Sequence, residues 1–510
     1  LKRIMPKVQV IFGGSNTFGE MGKALVEQYP EIDVVVRGEA ERSIVPVVHA
    51  LASNDVTKLT DIFGICFRGP DGITTTPDAL AQIPIDEVPI PDFSDYFVTL
   101  RALRRTYPGG AALPLFLPIE TSRGCWWGEK SHCTFCGLNA DRMNFRSRTP
   151  EAAFEYITEI RRRYGVKNLF AVDNIIDHKY YDTVLEKLAA SGESYFIHYE
   201  IKSNLKRSQV DQLARSGVGK VQPGIESLST PVLKLMRKGV TSLQNIQTLK
   251  LLTEAGIKTS WFLLYGFPGE EIAWYREMAH LIPKLRHIVP PGELAPVYLE
   301  RFSPYQTTPE AFGIEVVGPT RWYRMAFPEV PAERLGRLAY RFDFEDPSRS
   351  PDLDAFVAQV LRPQVRAWKQ SFASSGANLH VLHGPKESTI IVGPLAKPER
   401  LLRIAGPLRT VLINSDTARA EHALFEPPDR DAVRLHVDGE LYDRFLSHSS
   451  GIRDERGMSL DLTSEGAAAL LENQGLLLRE AGAALALPLA CGSPKLEALL
   501  AGQDRRLVDV

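Results

Sequence analysis

A repeating pattern of apolar runs and amphipathic stretches fills the middle of the chain, from Leu115 to Phe302. Short runs that suit buried strands alternate there with stretches whose apolar residues recur at helical spacing. Repeats of this length predict parallel strands joined by helical crossovers. We expect an α/β fold whose strands close into a partial (β/α)6 barrel resembling a TIM barrel, with functional groups at the carboxyl ends of the strands.

The predicted elements of this region follow one another without long gaps. The predicted strands read PLFLPIETSR, NLFAVDN, YFIHYEIK, GKVQPGIE, IKTSWFLLYG and LAPVYLERF. The predicted helices span 150–164, 178–190, 206–216, 231–238, 242–255 and 272–287. A cysteine-rich loop follows the first strand directly, at the end where barrels of this kind collect their active groups.

The N-terminal part, residues 1–60, shows a similar rhythm. The run VQVIFGGS predicts a buried strand that ends in a glycine turn, followed by a helix over 21–28, a strand over 33–37 and a helix over 44–51. This order is typical of part of a Rossmann-like unit. Such units bind ligands at the carboxyl ends of their strands, but a purely structural fragment fits the pattern as well.

Residues 61–112 are predicted to be a linker between this unit and the barrel, which we place at 113–335. Within the linker, FGICFRGPDGITTTP predicts a hairpin with Asp71 and Gly72 at its turn. The proline-rich run PIDEVPIPDF predicts an extended segment along a domain surface.

The C-terminal part, residues 336–510, predicts a smaller α+β domain. A helix is predicted over 353–374, and the runs LYDRFLSHS and SEGAAALLENQG read as amphipathic helices. HVLHGPKESTIIVG and GLLLREAGAALALPLA predict hairpins, and VLINSDTARAEHALFEP predicts a strand, a turn and a helix. Helices with a wing-like hairpin suit a winged-helix module that could hold a peptide by strand addition, although a stabilising domain fits equally well.

Composition and charge narrow the class of protein. At 510 residues the chain is too long for one ordinary domain, and 44% hydrophobic with 24% charged residues is typical of globular proteins. A net charge of −2 offers no general attraction to nucleic acid or anionic lipid. No apolar run is long enough to span a bilayer, and no secretory signal is visible. We therefore expect a cytoplasmic protein without nucleic-acid or membrane partners.

Three of the five cysteines lie within one short loop, GCWWGEKSHCTFCG. Cys125, Cys133 and Cys136 form a C-x7-C-x2-C array, and thiolates select zinc, copper(I) or iron–sulfur centres. A structural zinc site with His132 as fourth ligand is one alternative. A disulfide framework is another, although a long chain with few cysteines has little need of it. Phe135 either packs in the core or shields a cluster from water.

The cysteine loop resembles that of radical S-adenosylmethionine (SAM) enzymes. The usual spacing in that family is C-x3-C-x2-C, so the first gap of this sequence is longer. The run SRGCWWGEKSHCTFCGLN resembles the branch that matures ribosomally synthesised peptides, often with a cobalamin-binding domain in front. The resemblance extends from about Gly13 to about Tyr305.

The resemblance implies a reaction. In the family, three cysteines hold a 4Fe–4S cluster, SAM occupies the fourth iron, and reductive cleavage of SAM produces a radical that takes hydrogen from an unactivated carbon. An electron donor such as flavodoxin or ferredoxin is then required. With cobalamin present, C-methylation of a peptide side chain is the leading expectation, and ring formation or cyclopropanation are alternatives. A non-catalytic peptide-binding protein with structural zinc is the rival outside this class.

The resemblance also assigns roles to residues at the strand ends, several of which have simpler explanations. Asp173, Asn174 and Ser203 are either helix caps or SAM contacts. Lys238 is either a solvated lysine at a helix end or a partner of the SAM carboxylate. Glu226 would be costly to bury without a partner, which favours a cofactor-binding or catalytic role. The further implied SAM-binding residues are Tyr265, Gly266 and Pro268, and the implied substrate-facing residues are Arg301 and Tyr305.

Two glycine loops of the N-terminal part resemble the second half of a cobalamin-binding domain. In that family these loops line the pocket for the nucleotide tail of the cofactor, which makes their residues candidate contacts. The candidates are Gly13, Gly14, Ser15, Gly38 and Glu39. Because the sequence opens at Leu1 in the middle of the pattern, we expect the first strands of such a domain to lie upstream.

Overall fold

A four-stranded sheet is the first folded unit of the chain. The computed structural model describes residues 2–500 apart from 54, 79–81, 108–114, 141–142, 427–436, 449–452, 457–463 and 492. The first strands are β1 (Ile11–Phe12), β2 (Val34–Val36), β3 (Ile65–Gly69) and β4 (Gly72–Thr75). They lie side by side in chain order, with β1 and β2 parallel and the other pairs antiparallel. The helices of this part are Glu20–Gln28, Ile44–Ala52 and Ser94–Thr106.

Two predictions for this region differ from the structure. The first strand is not buried: β1 has two residues at the sheet edge, and Phe12 is 45% exposed. The hairpin predicted within the linker is confirmed, but it pairs with β2 and therefore extends the N-terminal sheet. The predicted boundary after residue 60 falls inside this sheet, and the other domain boundaries stay predictions.

A parallel sheet follows at the centre of the chain. Its region contains β5 (Leu117–Ile119), β6 (Ser122–Arg123), β7 (Arg146–Ser147), β8 (Asn168–Ala171), β9 (Phe196–Ile201), β10 (Lys220–Pro223), β11 (Lys258–Thr259), β12 (Phe262–Tyr265) and β13 (Glu293–Pro296). Five strands pair in parallel in the order β5-β8-β9-β10-β11, and β12 pairs in parallel with β13. The predicted parallel arrangement is confirmed.

Helices connect these strands at nearly the predicted places. They are Trp126–Lys130, Pro150–Tyr164, Val184–Ala190, Arg207–Arg215, Thr230–Leu235, Ser242–Glu254 and Ile272–Leu281. In the helix Pro150–Tyr164, local residues mark both ends that the sequence predicts. Thr149 caps the first turn, and Gly165 ends the helix in a left-handed conformation with a φ of 65°.

Residue alternation gives the parallel sheet two distinct faces. Leu169, Ile197 and Tyr199 pack into a core shared with the surrounding helices. Since successive residues of a strand point to opposite sides, their neighbours point away from the helices. We call this second side the inner face. Its members include Phe170, Val172, His198, Glu200, Lys202, Lys220, Gln222 and Phe262.

The fifth predicted strand is broken in two. β11 pairs with β10, whereas β12 continues the sheet through a parallel bridge between Glu226 and Leu263. Trp261 stands at the break, where its side chain is buried and its ring nitrogen donates to the carbonyl of Val289 at 3.1 Å. A large buried ring and its hydrogen bond therefore interrupt what the apolar run alone predicts as one continuous strand.

A small antiparallel sheet closes the central region. Its strands, β14 (Leu299–Glu300), β15 (Glu315–Pro319) and β16 (Arg341–Glu345), lie in the order β14-β16-β15. The helices here are Pro304–Thr307, Arg321–Ala326 and Ala332–Leu338, followed by Pro351–Phe356 and Arg362–Ser375 with the π-helical turn Val357–Leu361 between them. The last three agree with the helix predicted over 353–374.

The C-terminal part combines two sheets with four helices among its described residues. The strands are β17 (Leu379–His383), β18 (Ser388–Val392), β19 (Arg400–Ile404), β20 (Arg419–Ala420), β21 (Arg453–Arg456), β22 (Leu477–Glu480), β23 (Ala483–Ala486) and β24 (Leu489–Ala490). They form sheets in the orders β21-β19-β18-β17-β24 and β20-β23-β22. The helices are Gly406–Asn414, Gly439–His448, Ser464–Asn473 and Ser493–Leu500.

Both hairpins and both amphipathic helices predicted for this part are present, but one strand is not. The run VLIN, predicted as a strand, forms the end of the helix Gly406–Asn414. Val411, Leu412 and Ile413 are all buried there. A short, wholly apolar run suits a buried helix as well as a buried strand, so periodicity alone could not separate them.

A buried network of charges joins the C-terminal part to helices of the predicted barrel, residues 113–335. The Lys250 ammonium donates to Asp416 Oδ1 at 2.6 Å and lies 3.2 Å from Glu254 Oε1. Arg207 bridges the same two carboxylates at 2.6 and 2.8 Å. Although burial alone would raise it, Lys250 and Arg207 hold the pKa of Asp416 below its ordinary value. The two parts therefore share a paired, buried charge cluster.

Within the described ranges, no helix is both long enough and apolar enough to cross a membrane.

Candidate active site

The cysteine loop lies directly after β5 and β6. Cys125 caps the helix Trp126–Lys130, and its sulfur accepts a hydrogen bond from the Gly128 amide at 3.3 Å. Thr134 fastens the other end of the loop, because its amide donates to the Met236 carbonyl at 3.2 Å and its hydroxyl to the Leu235 carbonyl at 3.1 Å. The loop is thus held against the end of the helix Thr230–Leu235.

All three thiols of the loop are partly exposed and belong to one electrostatic neighbourhood. Burial raises the pKa of Cys136 to about 12 and also raises that of Cys125. Cys133 adds to both shifts, and Cys125 adds to that of Cys136. In the part of the chain that the structure describes, no three histidine, cysteine, aspartate or glutamate side chains are grouped as ligands of one metal ion. His132 instead contacts the Cys136 carbonyl through Nε2 at 2.8 Å.

Lys238, which follows the helix Thr230–Leu235, faces the cysteines. Its ammonium lies 3.8 Å from Glu226 Oε1. Burial alone would lower the pKa of Lys238. Cys133, Glu226 and the other two thiols act in the opposite direction and outweigh burial, so the pKa of Lys238 is raised. A Cβ at Gly224 would stand 2.7 Å from this ammonium, which shows how closely the lysine crosses the strand end.

Glu226 adopts an unusual backbone conformation beside this lysine. Its φ is 55°, in the left-handed region that residues other than glycine rarely adopt. Burial raises the pKa of its carboxyl group, and Lys238 partly offsets that shift. Non-glycine residues in this region concentrate at functional sites, which agrees with the role expected for Glu226.

A second lysine, which the sequence analysis missed, stands at the same place. Lys202 ends the inner-face row of β9, donates to the Lys238 carbonyl, and lies 3.8 Å from the centre of the Trp127 ring. Burial lowers its pKa to about 7, with a further contribution from Lys238. In the sequence, the one indication of its place is the alternation along β9, which puts Lys202 on the same face of the sheet as Glu200.

Asp173 has an internal role in this structure. Its carboxylate accepts hydrogen bonds from the Thr121 amide at 2.8 Å, from the Thr121 hydroxyl, and from the Ser122 hydroxyl at 2.9 Å. Burial raises its pKa to about 6, although these donors oppose the shift. Asp173 therefore anchors the segment that delivers the cysteine loop, and its contact with SAM stays a prediction.

Asn174 and Ser203 are also held by neighbours. The Asn174 amide donates to Asn139 Oδ1, in the segment after the cysteines, at 2.7 Å. Ser203 is buried, and its hydroxyl donates to the Gly224 carbonyl at 3.3 Å. Both residues lie at the strand ends near the cysteine loop, as predicted, and their cofactor contacts stay predictions.

The turn after β12 is built around Glu270. The amides of Gly266 and Phe267 donate to its carboxylate at distances from 2.8 to 2.9 Å, and the Tyr275 hydroxyl donates at 2.6 Å. Phe135 packs edge-on against Phe267, with ring centroids 5.7 Å apart. Tyr265, Gly266 and Pro268 therefore border the cysteine loop, and no local pattern predicts that the Glu270 carboxylate shapes their turn.

Arg301 and Tyr305 both make internal contacts in this structure, and their contact with a substrate stays a prediction. The Arg301 guanidinium donates to the carbonyls of Ala339, at 2.7 Å, and of Gly336, so it caps the end of a helix. Tyr305 is buried in the main core, where its ring packs edge-on against Phe312 at 4.7 Å. The short helix that begins at Pro304 turns this ring inward, which strand rhythm could not predict.

The two glycine loops of the N-terminal sheet differ in their surroundings. Gly13, Gly14 and Ser15 are exposed, and Gly14 has a φ of 96° that favours glycine. Gly38 has a φ of 83° and leads into Glu39.

Glu39 connects the N-terminal sheet with the cysteine strand. Its carboxylate pairs with Arg146 and, at 3.2 Å, with Arg123, which also pairs with Glu41 at 2.6 Å. Although burial opposes it, pairing with Glu120 and Glu41 raises the pKa of Arg123. Because Arg123 precedes Cys125 by two residues, these ion pairs bring the Gly38 loop close to the cysteines. Glu39 thus helps to hold the N-terminal sheet against the segment that contains the cysteine loop.

A sequence comparison identifies the central region. Residues 119–282 match the family model of the Radical SAM superfamily. The chain therefore contains a radical SAM domain. The matched residues include the cysteine loop, Lys202, Glu226 and Lys238.

Two curated relatives are similar to the chain over about half of its length. An uncharacterised methyltransferase of Pyrococcus horikoshii is 26% identical over 274 residues, which cover 53% of this chain and 56% of the relative. The anaerobic magnesium-protoporphyrin IX monomethyl ester cyclase of a Synechocystis species is 26% identical over 263 residues, 50% of each chain. The chain thus spans about half the length of these relatives.

Two solved structures share the fold. The cobalamin-dependent SAM radical enzyme OxsB, with aqua-cobalamin bound, superposes with a TM-score of 0.51 and 14% identity, over 72% of this chain and 60% of that one. The radical SAM methyltransferase TsrM of Kitasatospora setae, bound to tryptophan and a SAM analogue, has a TM-score of 0.51 and 18% identity over 72% of both chains. At these identities the similarity establishes the radical SAM fold alone.

Proposed function

We propose that this chain is a radical SAM enzyme with a 4Fe–4S cluster on Cys125, Cys133 and Cys136 and with cobalamin as a second cofactor. Its proposed substrate is a ribosomally made precursor peptide, and its proposed reaction is C-methylation of an unactivated carbon. When bound, the cluster and SAM supply a 5′-deoxyadenosyl radical that abstracts hydrogen from such a carbon.

The observation that carries the proposal is the electrostatic neighbourhood that Lys238 shares with all three thiols of the loop after the first parallel strand. These side chains fit a 4Fe–4S cluster in which one iron has no protein ligand. One loop supplies three thiols, and the group beside them is the Lys238 ammonium, which cannot bind a metal. Lys238 offsets the negative charge of thiolates and is placed to pair with a carboxylate. Glu226, 3.8 Å away, is placed to accept hydrogen bonds from an ammonium or hydroxyl group.

The contact between the Gly38 loop and the cysteine strand supports the assignment of cobalamin. Glu39 and Glu41 pair with Arg123 at this junction, two residues before Cys125. A cofactor bound on the glycine loops of the N-terminal sheet would therefore border the radical site. Two structural neighbours with the same fold are named as a cobalamin-dependent enzyme and a methyltransferase, which agrees with this assignment.

The peptide substrate rests on the cysteine-loop resemblance. The C-terminal part offers two edge strands, β20 and β22, in its smaller sheet, and an extended peptide can pair with such an edge. The required electron would come from a flavodoxin or ferredoxin, and a cytoplasmic location, without nucleic-acid or membrane partners, suits reduced thiols.

Anaerobic reconstitution tests the cluster. We expect the wild-type chain to bind about four irons and four sulfides, with the broad visible absorption of an iron–sulfur protein. Cys125→Ser, Cys133→Ser and Cys136→Ser should each lose most of the iron. Cys66→Ala and Cys491→Ala are matched controls, since both cysteines are buried outside the loop, and they should retain it. Tightly bound zinc without iron would contradict the proposal in favour of a structural site.

Labelled SAM tests the reaction. The reconstituted chain, incubated with reductant, cobalamin, methyl-labelled SAM and candidate precursor peptides, should transfer label to a carbon of the peptide. Omission of cobalamin should abolish the transfer. Deoxyadenosine formed without a methylated product would instead support ring formation, cyclopropanation or another radical outcome.

A further inference from the structure

His198 is a buried polar side chain without a hydrogen-bonding partner in the described part of the chain. It lies in the middle of β9 and is 4% exposed, yet neither Nδ1 nor Nε2 has a partner. Most buried polar atoms in proteins are hydrogen-bonded, because an unmade bond leaves the desolvation of the atom uncompensated. Burial, helped by the adjacent Lys220, lowers the pKa of His198 to about 4, so the imidazole is neutral at pH 7.

The inner face beside His198 carries exposed apolar side chains, while Lys220 flanks the histidine in register on β10. Phe170 lies beside it in register on β8, with ring centroids 4.4 Å apart. Phe170, Val172 and Phe262 are 39%, 50% and 40% exposed, although all three belong to the inner face of the sheet. Large apolar side chains on the concave side of a barrel are exposed where a ligand fills the space.

The same strand connects this surface with the cofactor end. Glu200 and Lys202 follow His198 on the inner face, and Lys202 reaches the Lys238 carbonyl beside the cysteines. Burial, with a contribution from Glu226, raises the pKa of Glu200 to about 7. A ligand bound near His198 would therefore lie on the inner face of the sheet, a few residues along β9 before the strand end that faces the cysteines.

We propose that the inner face around His198, Phe170 and Phe262 binds the aromatic group of the substrate, one that carries a hydroxyl or a ring N–H. The apolar side chains contact the ring, and the imidazole pairs with its polar atom, since a neutral histidine offers one donor and one acceptor. His198 is a positioning residue for this group. The inference rests on the proposed function, because it takes the inner face as the substrate chamber.

Calorimetric binding of two small probes tests the proposal without requiring turnover. Phenol and toluene differ by the polar atom that His198 would engage. The full chain with its oxidised cluster should bind phenol more tightly than toluene. His198→Leu should weaken phenol binding about fivefold, the effect of one lost hydrogen bond, and leave toluene binding unreduced. His287→Leu removes an equally buried histidine whose Nε2 contacts the Leu487 carbonyl, and it should change neither affinity.

Equal wild-type affinities for phenol and toluene would overturn the proposal, as would an equal loss of phenol binding in His287→Leu. If His198→Leu does not fold, the ring ¹⁵N signals of the wild-type histidines decide the question: phenol, unlike toluene, should shift the His198 signal, and an unchanged signal at saturation would overturn the proposal. Failure of the proposed function would appear separately, as wild-type chain that binds phenol but never cleaves SAM.

Discussion

At the residue scale, Lys238 and Glu226 are the side chains most directly tied to the proposed chemistry. Lys238 is buried, faces three thiols and lies 3.8 Å from Glu226, and Glu226 holds a left-handed backbone beside it. A buried ammonium without a compensating anion would be costly. Glu226 provides one such anion, and the thiols of the loop would add negative charge at this point when ionised.

We predict that Lys238→Met weakens SAM binding to the reconstituted chain at least about tenfold, because charged hydrogen bonds contribute about 1.5–3 kcal/mol. Equilibrium dialysis with labelled SAM measures the change. Lys234→Met, at an exposed position four residues earlier, is the matched control and should bind normally. Equal affinities of the two variants would exclude Lys238 as a SAM contact.

At the element scale, the buried charge network is the strongest polar connection between the barrel helices and the C-terminal part. Lys250 and Arg207 come from two barrel helices, and Asp416 follows the helix Gly406–Asn414. Removal of one member of such a network leaves its partners buried and uncompensated.

Lys250→Met should therefore lower the free energy of unfolding by about 3–5 kcal/mol. Urea denaturation of the full chain measures this loss. The double variant Lys250→Met with Asp416→Leu should recover part of it, since no charge is then left without its partner. Arg162→Ala removes a solvent-screened, exposed pair with Glu159 and should cost far less stability. A loss equally small in Lys250→Met would show that the network does not support the fold.

The sequence predicted elements well where local signals agree and failed where tertiary packing decides. Thr149 and Gly165 mark both ends of a helix, and the spacing of three cysteines marks a metal loop. By contrast, the break at Trp261 depends on a hydrogen bond to a distant carbonyl. The position of the Arg301 side chain depends on its contact with a helix end near Ala339, and no local sequence pattern indicates that contact.

At the scale of the whole molecule, the site lies close to the junction of the N-terminal sheet with the central region, and the C-terminal part is joined to that region elsewhere. The N-terminal sheet contributes Glu39 at the cysteine strand, and the barrel supplies the thiols. The C-terminal part is joined to the barrel through Asp416 and through His287, which contacts the Leu487 carbonyl at 3.0 Å. The position of the C-terminal part could not be predicted from sequence, because these contacts join distant segments.

Acid should loosen the C-terminal part. Burial lowers the pKa of His287 and His380 from 6.5 to about 4, so the folded chain favours their neutral forms. Their contribution to the free energy of unfolding is fully present above pH 6.5 and is lost as the pH falls toward 4. The loss amounts to at most about 3 kcal/mol for each histidine.

Urea denaturation at pH 7 and pH 5 tests this expectation. The wild-type chain should lose stability between the two values, and His287→Gln should lose less. His422→Gln, at an exposed position, should behave as wild type. Identical losses in all three chains would show that the buried histidines do not determine the acid sensitivity.

The central claim is that the cysteine loop supports radical SAM chemistry, and reductive cleavage of SAM tests it most directly. The anaerobically reconstituted full chain, given dithionite and SAM, should form 5′-deoxyadenosine and methionine, and Cys133→Ser should form neither. A wild-type chain that binds its cluster and SAM, is reduced, and still forms no deoxyadenosine would contradict the account.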